Sequence, residues 1–494
     1  MKELIAAIQA GNLSTYSAPG VKVYEASLTQ VGSTSLLMVR TEAGKRIVAV
    51  GEGELFDQLN GEVTDGAKVA PLTHANRLVL NQFLPYTAPQ AFGTQVATMG
   101  LGDRLGIASP GHIQTIRGKD IRPVLAQQSI RELALTGRTY EDVLDAAAYA
   151  VFQEGYKDGY GADGDHLKKE EDIEYALRLG FTMLTLDCSE NIDNTIEGLS
   201  AAEVSAKYEQ LPASLREHYE KRYLETPANV PGAALNYTRE ALQKDVLIYD
   251  AAINFMEAIY RKYIATLDRA VDFEISIDET ATPTSPEAHY LVANELRDRG
   301  VKIFSMAPRF CGEFQKGIDY IGDIAQFERE LASHAAIAVH FEYKLSIHSG
   351  SDKFSVFPLI GQYTKGLFHI KTAGTNWLEA VRVVAKVNPS LYRRMHQYAL
   401  EHFSEATAYY HVTTDIDAIV PLAEVSDSDL PNYMEENNAR QLLHITYGLL
   451  LQAKNADGSK TFADEFFQTM AEQEEVFAEG LRKHIGRHLE LLGK

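Results

Sequence analysis

From residue 97 to residue 375 the chain repeats one pattern: a short apolar run that ends in polar residues, then a longer stretch with apolar positions at helical spacing. The runs are ATMGLGDRL (97–105), IRPVLAQQS (121–129), GYGADGDHL (159–167), FTMLTLDCS (181–189), VDFEISIDET (271–280), VKIFSMAPRF (301–310), YKLSIHSGS (343–351) and LFHIKTAGT (367–375). Between them lie amphipathic segments such as 139–156, 170–180 and 285–300. In the last, Thr284 or Ser285 can cap the start, Pro286 suits the first turn and Gly300 the end. Parallel strands need such crossovers, so eight of them predict a (β/α)8 TIM-type barrel spanning 91–376, with an open doubly wound sheet as the alternative. No GxGxxG turn and no GxxxxGK[ST] loop supports that alternative.

Outside this region the texture changes. VKVYEASL (21–28), STSLLMVRT (33–41) and KRIVAVGEG (45–53) read as β-branched strands, the last two joined across EAGK as a hairpin, giving a β-containing cap over 1–90. Residues 190–265 read as a helical insertion, and 377–494 as a C-terminal helical region packing on the barrel.

The polar residues fall where a barrel enzyme needs them, at the carboxyl ends of the strands. They are Asp103 and Arg104, then Gln127, Gln128 and Ser129, then Asp163, Asp165 and His166, then Asp187. The later strands add Glu274, Ser276 and Asp278, then Arg309, His348, and finally His369 with Lys371. Any one of them alone reads as a helix cap, a salt bridge or a hydrogen-bonded core histidine. In FEISID, however, Phe273, Ile275 and Ile277 face the helices, which turns Glu274, Ser276 and Asp278 toward the barrel interior. A carboxylate buried there needs a cation, a metal or a proton.

His166, Glu274, His348 and His369 form a candidate set of divalent-metal ligands from four strands, and Asp165 and Asp278 are further carboxylate candidates. Mixed imidazole and carboxylate suits Zn, Mn, Co, Ni or Fe better than Mg or Ca. Asp165, Glu274 and Asp278 are the candidate catalytic acids or bases. Glu274 cannot be both ligand and free base, and the sequence does not choose. Arg309, Lys353 and Lys371 are the cations expected to hold a substrate carboxylate, with Gln127 and Gln128 as further substrate contacts. In KTAGT (371–375), hydroxyls and a helix start would favour an anion.

Composition narrows the class. A net charge of −21 over 494 residues argues against nucleic acid, and no apolar run reaches a membrane span. The N-terminal segment lacks a signal-peptide pattern, and two cysteines, Cys188 and Cys311, make no disulfide framework. A cytoplasmic enzyme acting on a small molecule is expected, and a homo-oligomer is compatible with this reading.

The runs GLGDRLGIASPGHI (100–113), RPVLAQQSIREL (122–133), FQEGYKDGYGADGDHLK (152–168), SIHSGSDKFSVFP (346–358) and FHIKTAGTNWLEA (368–380) closely resemble the tagaturonate/fructuronate epimerase family. The resemblance implies a divalent-metal-dependent enzyme of bacterial hexuronate catabolism that interconverts D-tagaturonate and D-fructuronate, with side activity on fructose and tagatose. Those ketouronates differ at a carbon whose hydrogen the ketone does not acidify. Simple enolisation would therefore invert the wrong centre, and retro-aldol cleavage with re-addition to the other aldehyde face is the expected route. Transient oxidation and carbonyl migration are the other routes. The alternative functions are a metal-dependent class II-type aldolase on a sugar acid, and a non-catalytic sugar-acid binder.

Overall fold

The computed structural model describes residues 1–13, 16–372 and 374–494. A small antiparallel sheet comes first: β1 (Lys22–Val31), β2 (Thr34–Thr41), β3 (Gly44–Val50), β4 (Glu62–Thr64) and β5 (Ala67–Pro71), ordered β1-β2-β3-β5-β4. The hairpin expected across EAGK is present, with Thr41 opposite Gly44. The last two strands of the sheet escaped the sequence reading, because EVT is too short and too polar to show alternation.

Eight parallel strands then close a barrel: β6 (Thr98–Leu101), β7 (Arg122–Ser129), β8 (Gly161–Leu167), β9 (Met183–Asp187), β10 (Asp272–Ile277), β11 (Ser305–Pro308), β12 (Lys344–Ile347) and β13 (Phe368–Thr372). Each lies within the run that predicted it, and the barrel excludes the open sheet. Closure pairs β13 with β6, setting Lys371 beside Gly100 and His369 beside Thr98. Helices cap as their sequences ask. Thr139 and Asp142 form a capping box at Tyr140–Gln153, and Ser285 accepts from Ala288 N at the start of Pro286–Asp298.

Between β9 and β10 the chain folds into helices Ala201–Tyr208, Ala213–Tyr223 and Arg239–Ile259. After β13, helix Thr375–Val387 opens a second core around Trp377, Tyr392, Leu442 and Phe466. The Trp377 indole donates to Leu443 O (2.8 Å), so the helix that follows β13 is tied to helix Asn437–Ile445 within this core. The C-terminal helix Glu474–Leu491 then reaches the N-terminal sheet, where Glu474 meets Lys22 (2.9 Å) and Lys45 (2.7 Å). Among the described residues no helix is long and apolar enough to cross a membrane.

Candidate active site

A cavity of about 350 Å³ opens at the carboxyl ends of the barrel strands. Its floor carries Asp165, His166, Asp278, His348 and Lys371, and its rim carries Gln127, Arg131, Arg309, Lys316, Tyr409, Tyr410 and His444. The floor comes from strand ends, and the rim comes largely from loops and the C-terminal helices.

Beneath the floor one cation gathers three carboxylates. Lys371 Nζ lies 2.6 Å from Asp165, 2.8 Å from Glu274 and 2.9 Å from Asp163. Thr185 Oγ1 donates to Asp163 and also lies 3.1 Å from Glu274, so the cluster is bonded throughout. Burial opposes charge on every member. Even so, the facing charges hold Lys371 well above the usual lysine value and Asp165 and Glu274 well below the carboxylate range. Asp163 is pushed up to about 6 by burial and by its two acidic neighbours, against the pull of Lys371.

Above this cluster, His348 bridges two acids, with Nε2 2.8 Å from Glu274 and Nδ1 3.1 Å from Asp278. Burial opposes its protonation, but Asp278 and Glu274 raise it to about 10. His166 Nδ1 lies 2.7 Å from Asp165, and its ring is 4.8 Å from that of His348. His166 sits at φ +56°, where β8 slips register against β9; this left-handed backbone turns its imidazole toward His348. One donor atom each from His166, Asp278 and His348 falls within 4.8 Å of the others. Two imidazoles and a carboxylate at that spacing fit a divalent transition metal.

The expected ligand set is thus only partly brought together. Glu274 lies under His348 as its partner. His369 sits deeper, fully buried, its Nδ1 against Thr98 Oγ1 (2.8 Å) and its Nε2 without a partner among the described residues; burial pushes it down to about 3. It is part of the barrel interior, one layer below Lys371, and does not reach the cavity.

The expected substrate contacts also separate. Gln127 lines the cavity, buried, with neither amide atom bonded among the described residues, and it packs so close to Gly100 that a Cβ there would meet its Oε1. Gln128 turns away and donates to Gln127 O (2.7 Å). Arg309 lines the cavity, its guanidinium on Thr280 O. Lys353 lies outside it, donating to the carbonyls of Ser351 (2.9 Å), Gln315 (2.8 Å) and Ile318 (2.6 Å). The charge of Lys371 is already matched within the barrel. In KTAGT, residue 373 lies outside the described residues; Gly374 caps helix Thr375–Val387 and lines the cavity.

Other polar strand ends are structural. Asp103 accepts four backbone N–H bonds, from Leu105, Gly106, Ala108 and Ser109, and Arg104 pairs with Glu132 at 2.7 Å. A second acid–imidazole group, Asp352 with His484 and His488, has few free donor atoms. His488 Nε2 takes the Asp352 N–H (3.1 Å), His488 Nδ1 faces His484 O, Arg440 occupies Asp352 Oδ2, and His484 Nε2 lies 2.8 Å from Asp352 Oδ1.

Sequence reasoning passed over Arg131, Lys316 and His444. Arg131 and Lys316 belong to loop and helix-start segments with no strand pattern. His444 stands in the amphipathic helix Asn437–Ile445, where a histidine draws no notice.

Comparison with known proteins relates the whole chain to one family. Residues 24–492 match the sequence profile of the tagaturonate epimerase family, UxaE. A tagaturonate/fructuronate epimerase of Thermotoga maritima is 42% identical over 478 residues, covering 96% of this chain and 97% of the relative. The crystal structure of the native fructuronate-tagaturonate epimerase UxaE from Cohnella laeviribosi superposes with a TM-score of 0.96 at 65% identity, covering 100% of this chain and 99% of that one. A glycerol complex of the same protein gives the same values.

Proposed function

The chain belongs to the tagaturonate epimerase family, and on that premise we propose that it interconverts D-tagaturonate and D-fructuronate with a divalent metal at His166, Asp278 and His348. The observation that carries the reading is the convergence of those three side chains at the mouth of a barrel that resembles its relatives from end to end. The cytoplasm is the compartment proposed for it, where Cys188 and Cys311, both free and buried, remain thiols.

When bound, the metal would supply Lewis-acid polarisation of the substrate carbonyl. The protein's own groups carry the proton traffic. Of the three candidate acids, Asp165 is the one that lines the cavity while remaining outside the metal group. Held ionised by Lys371 and His166, it accepts the hydroxyl proton at the carbon to be inverted. The adjacent C–C bond breaks, its electrons pass to the ketone-bearing fragment, and the other fragment becomes an aldehyde. Rotation of that aldehyde, re-formation of the bond and return of the proton from Asp165 complete the inversion. Glu274 fixes His348 from below, and Asp278 belongs with the metal.

The test is to strip the protein of metal, add D-tagaturonate with or without Mn, Ni, Co or Zn, and follow fructuronate. Metal-restored epimerisation is the expected result. Free three-carbon products would instead make the protein an aldolase, and no turnover with any metal would overturn the proposal.

A further inference from the structure

The cavity has two poles. Acids and imidazoles occupy the floor, whereas Arg131 and Lys316 stand on the rim, where among the described residues neither has a carboxylate in ion-pair contact. Lys316 Nζ donates to Ser349 Oγ (3.1 Å), and Arg131 to Tyr409 O (3.3 Å), with its guanidinium over the Tyr410 ring. Nearby, Arg104 pairs with Glu132, and among the described residues the buried Arg104 Nη1 has no partner. Lys316 lies within electrostatic reach of Glu132, Arg104 and Arg131, and both Lys316 and Arg131 line the cavity, whose lining also includes Glu279 and Glu313.

His444 adds a second, independent sign. It is 1% exposed, it lines the cavity, and among the described residues neither ring nitrogen has a partner. Burial, Arg104 and Lys316 hold it neutral, so one of its nitrogens is a donor with nothing yet to bind. Gly374 permits this placement, since a Cβ there would lie 2.1 Å from His444 Nε2. The same rim carries the N-terminus of helix Thr375–Val387, whose free N–H groups favour an anion.

We propose that Lys316 and Arg131, together with His444, form the subsite for the substrate's carboxylate, and that this subsite makes the enzyme select a ketohexuronate over a neutral ketohexose. The assignment rests on the proposed epimerase function. It moves carboxylate recognition away from Lys371, whose charge is consumed by three acids, and from Lys353, which faces backbone carbonyls. Because Lys316 bonds Ser349, the residue after His348, the subsite is tied to the chemical floor by one hydrogen bond.

The experiment compares wild type, Lys316→Met, Lys316→Arg and Arg131→Met for kcat and KM with D-tagaturonate, and for inhibition by neutral D-tagatose. A charge-assisted hydrogen bond corresponds to about 10- to 100-fold in affinity. Lys316→Met should raise KM by that factor with kcat changed less than about threefold, while the inhibition constant for D-tagatose stays within about twofold. Lys316→Arg should recover most of the loss. Arg131 is exposed, so Arg131→Met folds independently of any packing in the cavity and should also raise KM.

An unchanged KM in both Met variants, or a parallel loss of D-tagatose inhibition, would overturn the subsite. A wild type that does not turn over would count against the epimerase reading instead. Calorimetric binding of D-tagaturonate to wild type and Lys316→Met would then decide the subsite separately, with equal affinities overturning it.

Discussion

Lys371 on β13 reaches across the barrel to lie 2.8 Å from Glu274 on β10. That contact, with Asp163 and Asp165 on the same ammonium, makes the lysine the charge balance of the barrel interior. Removing one partner of a buried ion cluster leaves charge without compensation and costs about 3–5 kcal/mol. Lys371→Met should therefore destabilise the fold by that order, read as a lower unfolding midpoint, and abolish epimerisation. Differential scanning calorimetry checks the first part; an unchanged transition would show that the cluster does not depend on its cation.

His348→Ala removes an imidazole from the floor without touching the packing of the helices. Metal bound per chain, read by elemental analysis after loading and desalting, should fall to a small fraction of the wild-type value, and activity should fall by more than about 100-fold. Far-UV circular dichroism should be unchanged. Wild-type metal content in this variant would remove His348 from the ligand set.

Lys353 holds the backbone of the loop that follows β12. Its ammonium satisfies three buried carbonyls, so Lys353→Met leaves them without a donor and should cost about 2–4 kcal/mol of stability. Chemical denaturation monitored by fluorescence measures this directly. A variant as stable as wild type would mean the loop can satisfy those carbonyls in another way.

Glu474 joins the C-terminal helix to the N-terminal sheet through Lys22, Lys45, Arg40 and Tyr24. Burial opposes its charge, but these partners lower its pKa to about 2. A carboxyl depressed on folding adds stability that is full above its unfolded value near 4.5 and is lost as pH falls through about 2. Glu474→Gln should thus lower stability by about 2 kcal/mol at pH 7, with the difference from wild type shrinking across that acid window. Thermal melts at stepped pH test it. A pH-independent difference would assign the loss to packing.

The alternation of apolar and polar positions was enough to place all eight barrel strands, because a strand buried on both faces needs a continuous apolar run and a polar terminus marks where it leaves the barrel. FEISID even turned Glu274 inward correctly, since side chains alternate strictly along a strand. His348 could be chosen on the same grounds, whereas His166, next to the inward Asp165, reaches the site only through the register slip and left-handed backbone at that point. What periodicity could not supply was depth and distance. It could not put His369 deep in the barrel against Thr98, or bring Asp278 within reach of both His166 and His348. Nor could it show that Lys353 spends its charge on carbonyls and Lys371 on acids. The rim residues Arg131, Lys316 and His444 lie about 300 positions apart at the extremes, on segments with no strand pattern. Local sequence fixes which face of an element a side chain takes. Only closure of the barrel and docking of the C-terminal helices decide which charges meet and which remain free for a ligand.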